Sequence, residues 1–373
     1  MRFMVKNEVF ERGEAVAVAH AAAATGQQSE DRDLLIAAAR IARELSEPAA
    51  AIYWTDLAIT AGLSYGALAG VILLPFSIWS ASLALVAVFG FYRGLSFIHE
   101  LSHIRPGKLP GFRTSWNLLF GIPLLVPSFL YDEVHLVHHS KLNYGTVADP
   151  EYLQIGRMKS WQVGAFIAVA ALAPIALLAR FALLAPASLL SGRLRQRVLT
   201  RWSSLAINHG FRRRLSSKQA AGEWRVLEGI TSCWALTICS LTVTGAVNLG
   251  NVTACIAIGG GVALVNQVRT LVSHVWSNET GGSLTLIEQY QDSVNLPEPN
   301  LLTTLLAPVG LRYHALHHLM PSLPYHALPL AHRRMVGEMA TGTAYSAGNY
   351  RGVWAVFARI RGYDAPLAAT CTK

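Results

Sequence analysis

Charge is scarce in this sequence. Only 14% of its 373 residues are Asp, Glu, Lys or Arg, against about 25% in an ordinary soluble domain. Apolar residues reach 52% and the mean hydropathy is +0.35. Those values exclude a disordered chain, a coiled coil and a typical soluble enzyme. Cysteine is scarce too. The four, Cys233, Cys239, Cys255 and Cys371, form no Cys-x-x-Cys pair. That removes a disulfide scaffold, a rubredoxin-type iron site and a cysteine-based zinc site. The first three fall in apolar runs and read as small packing residues. No internal repeat stands out. Residues 1–30 hold no apolar core before a cleavage site, so no cleavable signal peptide is expected.

What the chain has instead is long uncharged runs. Residues 57–92 carry no charge and are broken by Pro75; residues 229–268 carry none and are broken at Asn248-Leu249-Gly250-Asn251. At about 1.5 Å per residue, each half spans a hydrocarbon core of about 30 Å with some tilt. Two helical hairpins are expected, 56–74 with 78–98 and 229–247 with 252–273. Buried helices of a soluble protein would be less uniformly apolar. Two further stretches, 116–131 and 162–190, are interrupted by Pro123 and Pro127 and by Pro174, Arg180 and Pro186.

Charge placement orients these spans. Residues 191–228 hold nine basic residues, among them Arg193, Arg201, Arg212 and Lys218, and such loops stay cytoplasmic. Both hairpin turns are uncharged, so an even number of crossings lies between 98 and 228. The expectation is an all-α integral membrane protein with four transmembrane helices under a cytoplasmic helical cap. The stretches 116–131 and 162–190 then lie in the interface or dip back. The expected divisions are a cytoplasmic segment 1–55, a first hairpin 56–98, a cap segment 99–228, a second hairpin 229–273 and a cap segment 274–373. Both termini face the cytoplasm, and a bacterial inner membrane is the expected location. Residues 29–46 read as a capped amphipathic helix ahead of the membrane. The net charge of +9 becomes a positive-inside signature in contact with anionic headgroups, not a nucleic-acid surface.

Histidine carries the chemistry. Nine of the thirteen form a pattern: His99-Glu100-Leu101-Ser102-His103, then His135, His138 and His139 as His-x-x-His-His, then His314, His317 and His318 as the same motif, plus the lone His274. Chance would supply one His-x-x-His-His roughly 0.015 times in such a chain. Residues three and four apart share a helix face. His99, His103 and His274 directly follow expected spans, so all nine fall on one side of the membrane. Intramembrane or membrane-edge imidazoles in that number imply a ligand. Neutral imidazole suits iron, copper, zinc and nickel, and nine are enough for two ions. A zinc protease is the rival reading, because His99 to His103 also matches His-Glu-x-x-His with Glu100 as base. It leaves both His-x-x-His-His clusters without a role.

The three clusters resemble the histidine boxes of the membrane fatty acid desaturase superfamily. Two flanking stretches are similar as well: Tyr144-Gly145-Thr146 with Asp149-Pro150-Glu151-Tyr152 after box two, and His317 to Pro324 after box three. The resemblance covers about 90–335. It implies two iron ions held by the box histidines with His274 as an additional ligand, O₂ as co-substrate and a fatty acyl or lipid substrate drawn from the bilayer. It implies desaturation of an acyl chain, with hydroxylation, carotenoid ketolation or hydroxylation, and decarboxylation to a terminal alkene as alternatives. Box one has three residues between its histidines, where animal and yeast acyl-CoA desaturases carry four. No His-Pro-Gly-Gly signature of a fused cytochrome is present, so electrons come from a separate ferredoxin- or cytochrome-type protein.

Carboxylates that could accept the ligands' second N–H are Glu100, Asp149 and Glu279, with Asp132 and Glu133 as weaker candidates. Glu100 could instead pair with Arg93 or Arg105. Arg105, Lys108 and Arg113 read first as positive-inside charges and second as a headgroup clamp. His326 and His332 read as structural, and His20 and His209 have no assigned role. A cysteine placed at Ser217 of a cysteine-free variant should react with a membrane-impermeant maleimide only in inside-out vesicles. Labelling of intact cells would overturn the four-crossing topology.

Overall fold

The computed structural model describes residues 28–214, 222–339 and 343–362. His20, Ser217, Lys218 and Cys371 lie outside the described residues. Among the described residues there is no strand, only three isolated bridges, His274–Ser293, Asn295–Tyr313 and Asn295–Asn349. The chain is otherwise helical. Five helices are long and apolar enough to cross a membrane. With the preceding helix α1 (28–45), they are α2 (Ala50–Leu73), α3 (Ile78–His103), α4 (Ser160–Ser188), α5 (Glu223–Val243) and α6 (Leu249–Leu271). Only 17–33% of the most apolar stretch of each is buried inside the protein. The remainder is apolar surface far too extensive for water.

Local chemistry sets the ends of these helices. Ser77 and Ser80 cap α3 reciprocally, each side chain accepting the other's backbone N–H. Asn248 opens α6 by accepting from Gly250 N. α3 packs against both α2 and α6 and leads directly into box one. At Gly94 of α3 the Phe120 ring fills the place of a side chain, within 2.0 Å of where a Cβ would sit. Trp116 Nε1 donates to Gly94 O over 2.7 Å. Glycine there lets the 112–130 segment press onto α3 just before its histidines. That segment doubles back, because Asn117 bonds both the backbone N and the Oγ of Ser128.

α4 is one helix more than parity leads one to expect, and it is irregular. A 3₁₀ turn occupies Val169–Leu172 and a π turn Arg180–Leu184, beside Pro174 and Pro186. Near its start, Met158 and Val163 pack with Leu271 and Trp276 at the histidine end of α6. Its middle lies on α6, with Ala171 O 2.9 Å from where a Cβ of Gly260 would be. Its last turns return to the start of α5, where Glu228 bridges Arg180 (2.6 Å) and Arg195 (2.5 Å). α5 and α6 are joined by a short uncharged turn, so Glu228 and Leu271 share one end of the bundle. Both ends of α4 therefore lie on the histidine side.

The cap closes that side. Leu34, Ala37, Ala38 and Ile41 of α1 enter one core with Leu316, Leu319, Ala331 and Met335, and Arg334 pairs with Glu44 at 2.5 Å. Arg213 is buried, stacks 3.9 Å over Trp224 and donates to Phe129 O, Ser203 O and Asp132 O. It ties the basic segment to the stretch just before box two. Arg180 is also buried, and a buried cation stripped of its partner costs about 3–5 kcal/mol. Glu228→Ala should lower stability by that amount in thermal unfolding in detergent. Arg180→Met with Glu228→Leu should recover most of it. Equal losses in both would show that the ion pair is not the cause.

Candidate metal centre

Box one occupies the last turn of α3. Box two sits on a five-residue helix, Val134–His138, entered through Glu133 at φ 63°. Box three sits on His314–Leu319, five residues after Val309 at φ 50°. Trp276, two residues beyond His274, has φ 60°. Positive φ at three residues with side chains is unusual, and such backbone gathers where a site demands it. Each of these residues turns the chain sharply beside a histidine.

The nine imidazoles gather into two groups. His99, His103, His135, His139 and His317 form the first; His138, His274, His314 and His318 form the second, with the ligating atoms in each within 4.8 Å of one another. Helix geometry explains the division. In each His-x-x-His-His box the first and last histidines are one turn apart and serve one group, while the middle one, rotated by about 100°, serves the other. Box two gives its pair to the first group and His138 to the second. Box three gives its pair to the second group and His317 to the first. His99 and His103 complete one group, and His274 the other.

Nitrogens face nitrogens. Nε2 of His135 and His139 are 2.9 Å apart, His103 and His317 3.1 Å, His274 and His314 3.1 Å, and His314 and His318 3.3 Å. Both ring nitrogens of buried His99 lack any hydrogen-bond partner. Burial and the neighbouring imidazoles hold His135, His139, His274, His314, His317 and His318 well below the usual histidine range. The downward shift favours the neutral ring, the form in which a nitrogen can ligate a metal. Burial also pushes His138 down, but Asp149 beside it outweighs that and its pKa rises. The donor set fits two nitrogen-coordinated metal ions.

Acidic groups orient the rings from behind. His138 Nδ1 is 3.0 Å from both carboxylate oxygens of Asp149, which also accepts from the backbone N of Gly145 and Glu151. His135 Nδ1 is 2.9 Å from Glu151, which accepts from Tyr131 OH. His274 Nδ1 is 2.9 Å from Tyr144 OH, which donates to buried Asp292. Glu100 Oε1 lies 4.0 Å from His99 Nδ1 while Oε2 accepts from Tyr53 OH and Tyr325 N. Arg93 pairs with Asp56 instead of Glu100.

Glu279 is a correction: it is exposed, because the chain turns away from the centre at Trp276. The acid behind His274 is Asp292, which no sequence pattern marked. Glu151, Tyr144 and Tyr152 stand in the stretch after box two that carries the family resemblance, so their signal was present. Asp132 pairs with Arg113, Lys108 with Glu47, and Glu133 is exposed. His326 accepts from Ala49 N, His332 bonds Tyr345 OH, and His209 is exposed. A one-zinc protease does not account for two complete pockets, and Glu100 is engaged with Tyr53 and Tyr325.

A multi-span helical membrane protein that closes nine imidazoles into two adjoining pockets defines the class of histidine-box membrane metalloproteins. The chain belongs to the fatty acid desaturase family, whose model matches residues 74–349. It is similar to a ceramide hydroxylase of Caulobacter vibrioides (strain NA1000 / CB15N), 40% identical over 347 residues, 90% of this chain and 96% of that one. No solved structure matches it. Members of the family are oxygen-dependent oxidoreductases.

His274→Ala should leave the second pocket with three imidazoles and lower the bound metal from two ions towards one, measured by elemental analysis after anaerobic iron loading. His209→Ala should bind as the unaltered protein does. Asp149→Asn should weaken metal binding by about 10–100-fold, and Glu279→Gln should not. Full metal content in His274→Ala would remove that residue from the ligand set.

Proposed function

We propose that this protein is an O₂-dependent hydroxylase of a lipid acyl chain, with ceramide-type lipids as its substrate class. The 40% identity to a ceramide hydroxylase along 90% of the chain carries this reading. Desaturation of a fatty acyl chain is the second reading, favoured by the description of the matching family. Both reactions remove hydrogen from an unactivated methylene, which has no acidity for a base to exploit. In hydroxylation, C–H, O₂, two electrons and two protons give C–OH and water. In desaturation the neighbouring carbon also loses a hydrogen, and two waters form.

The family's two iron ions would be held by the five and four imidazoles of the two groups, and they supply activation of O₂. Every other part is done by the protein. Asp149, Glu151 and the Tyr144–Asp292 pair fix ring orientation and tautomer, so that the lone pairs point inward. Burial of His138, His274, His314 and His318 keeps water from the second pocket. Half-buried His103 of the first group lines a cleft with Tyr53, Arg105 and Pro324. The acyl chain arrives from the bilayer, along the apolar helices. Four crossings, with α4 dipping back, put the metal pockets, α1 and the basic segment on the cytoplasmic side of a bacterial inner membrane. The position of both α4 ends beside the histidines supports that topology, and a separate cytoplasmic protein then supplies the electrons.

Reconstituted protein given ceramide, a reducing system and ¹⁸O₂ should yield a product carrying one labelled oxygen, by mass spectrometry. An unlabelled product lighter by two hydrogens would replace hydroxylation with desaturation. Activity on free or thioester-linked fatty acids with none on ceramide would sink the substrate assignment.

A further inference from the structure

Between Ser191 and Arg214 the chain has seven arginines and no Asp or Glu. Arg195 pairs with Glu228, Arg213 is buried under three carbonyls, and Arg212 donates to the carbonyls of His209 and Phe211 while staying exposed. Arg193, Arg197, Arg201, Arg212 and Arg214 are exposed. Within this segment Arg201, Trp202, Asn208, His209, Phe211 and Arg212 line an open concavity of about 560 Å³. Trp202 is 44% exposed, an aromatic surface amid cations.

The floor of this concavity is bonded to the metal pockets. Asn208 Nδ2 donates to Asp149 O (2.9 Å) and Val147 O (3.0 Å), and the backbone N of Ile207 and Asn208 both reach Pro150 O at 3.0 Å. The same stretch, 149–151, places Asp149 on His138 and Glu151 on His135. His138 is thus one residue, Asp149, removed from Asn208 in the lining of the hollow, and His135 is reached through Glu151, the chain neighbour of Pro150.

We propose that this hollow is the docking surface for an acidic one-electron carrier protein, which delivers electrons through the 147–151 segment to both metal sites. The proposal rests on the oxidoreductase reading above. That reaction consumes two electrons per turnover, and the sequence holds no His-Pro-Gly-Gly signature of a fused cytochrome. Charge complementarity selects an acidic partner and speeds its encounter. Exposed Trp202 and half-buried Phe211 supply apolar contact within the patch, as specific protein contacts use. An anionic membrane surface is the competing occupant. It would attract all the exposed arginines alike and would give no role to the bonds between Asn208 and Asp149.

The test holds the full-length protein in neutral phosphatidylcholine discs and measures binding of an acidic [2Fe–2S] ferredoxin by surface plasmon resonance. Arg201→Glu with Arg212→Glu should raise the Kd by about ten-fold or more at low ionic strength, and added salt should weaken the unaltered protein likewise. Arg351→Glu, an exposed arginine elsewhere, should change little. If charge reversal disturbs folding, the milder pair Arg201→Gln and Arg212→Gln decides by the same readout. Equal Kd values, no binding by the unaltered protein, or an equal loss in Arg351→Glu would overturn the surface. So would a defect that appears only in discs containing anionic lipid, which assigns the patch to the membrane. A second arm reduces the protein with dithionite and admits O₂ for one turnover, where no carrier is needed. Product there should be the same for the unaltered protein and the Arg201/Arg212 variants. Failure of the unaltered protein in this arm counts against the proposed reaction, whereas the binding arm judges the surface alone.

Discussion

The structure depends on one constraint: nine imidazoles are held close together and largely out of water. Facing Nε2 atoms stand 2.9–3.3 Å apart, a spacing at which few of them can carry a proton. A buried polar atom without a partner costs about 1–3 kcal/mol. His99 leaves two such atoms, and His314, His317 and His318 each leave an Nδ1. Cations held between the facing nitrogens would turn their lone pairs into ligand bonds, so metal binding would also stabilise the fold.

The rest of the cap serves to hold those rings against their own repulsion. The histidines come from the end of a long helix, two short helices and a loop, and none of the short pieces would persist alone. Asp149 accepts two backbone N–H groups as well as His138, so it sets the loop and the ring together. Asp292 does the same across a greater sequence distance, joining Ser277, Tyr144 and Tyr152 behind His274. α1 seals the back of box three with apolar contacts. Coordination, outer carboxylates and hydrophobic closure are therefore one cooperative unit, not three independent features.

The membrane portion answers a different requirement. A helix such as α4, with prolines, 3₁₀ and π turns and a buried Arg180, would be a poor lone span in lipid. It is tolerated because α5 and α6 flank it and Glu228 neutralises the arginine. Its ends meet the cap on both sides of the centre. The same bonds that anchor it, through Trp202 and Ser203 to Arg180, also position the basic segment beside the 147–151 stretch.

Much of this protein was legible in its sequence, because the signals were local and periodic. Uncharged runs of helix-spanning length declared the membrane helices, and three- and four-residue spacing put histidines on shared faces. Those spacings identified eight of the nine residues that converge, while solitary His274 was placed by its position at the end of an apolar run. Asp149 was legible from the stretch following box two. Only the tertiary structure decided which histidines share a pocket, since that depends on how three short elements rotate against one another. It also replaced Glu279 with Asp292: nearness to His274 along the chain did not survive the turn at Trp276, whereas a distant short helix delivered a carboxylate behind the ring. The bent path of α4 followed the same logic, because composition measures how apolar a segment is, while the direction it takes is set by the neighbours it packs against.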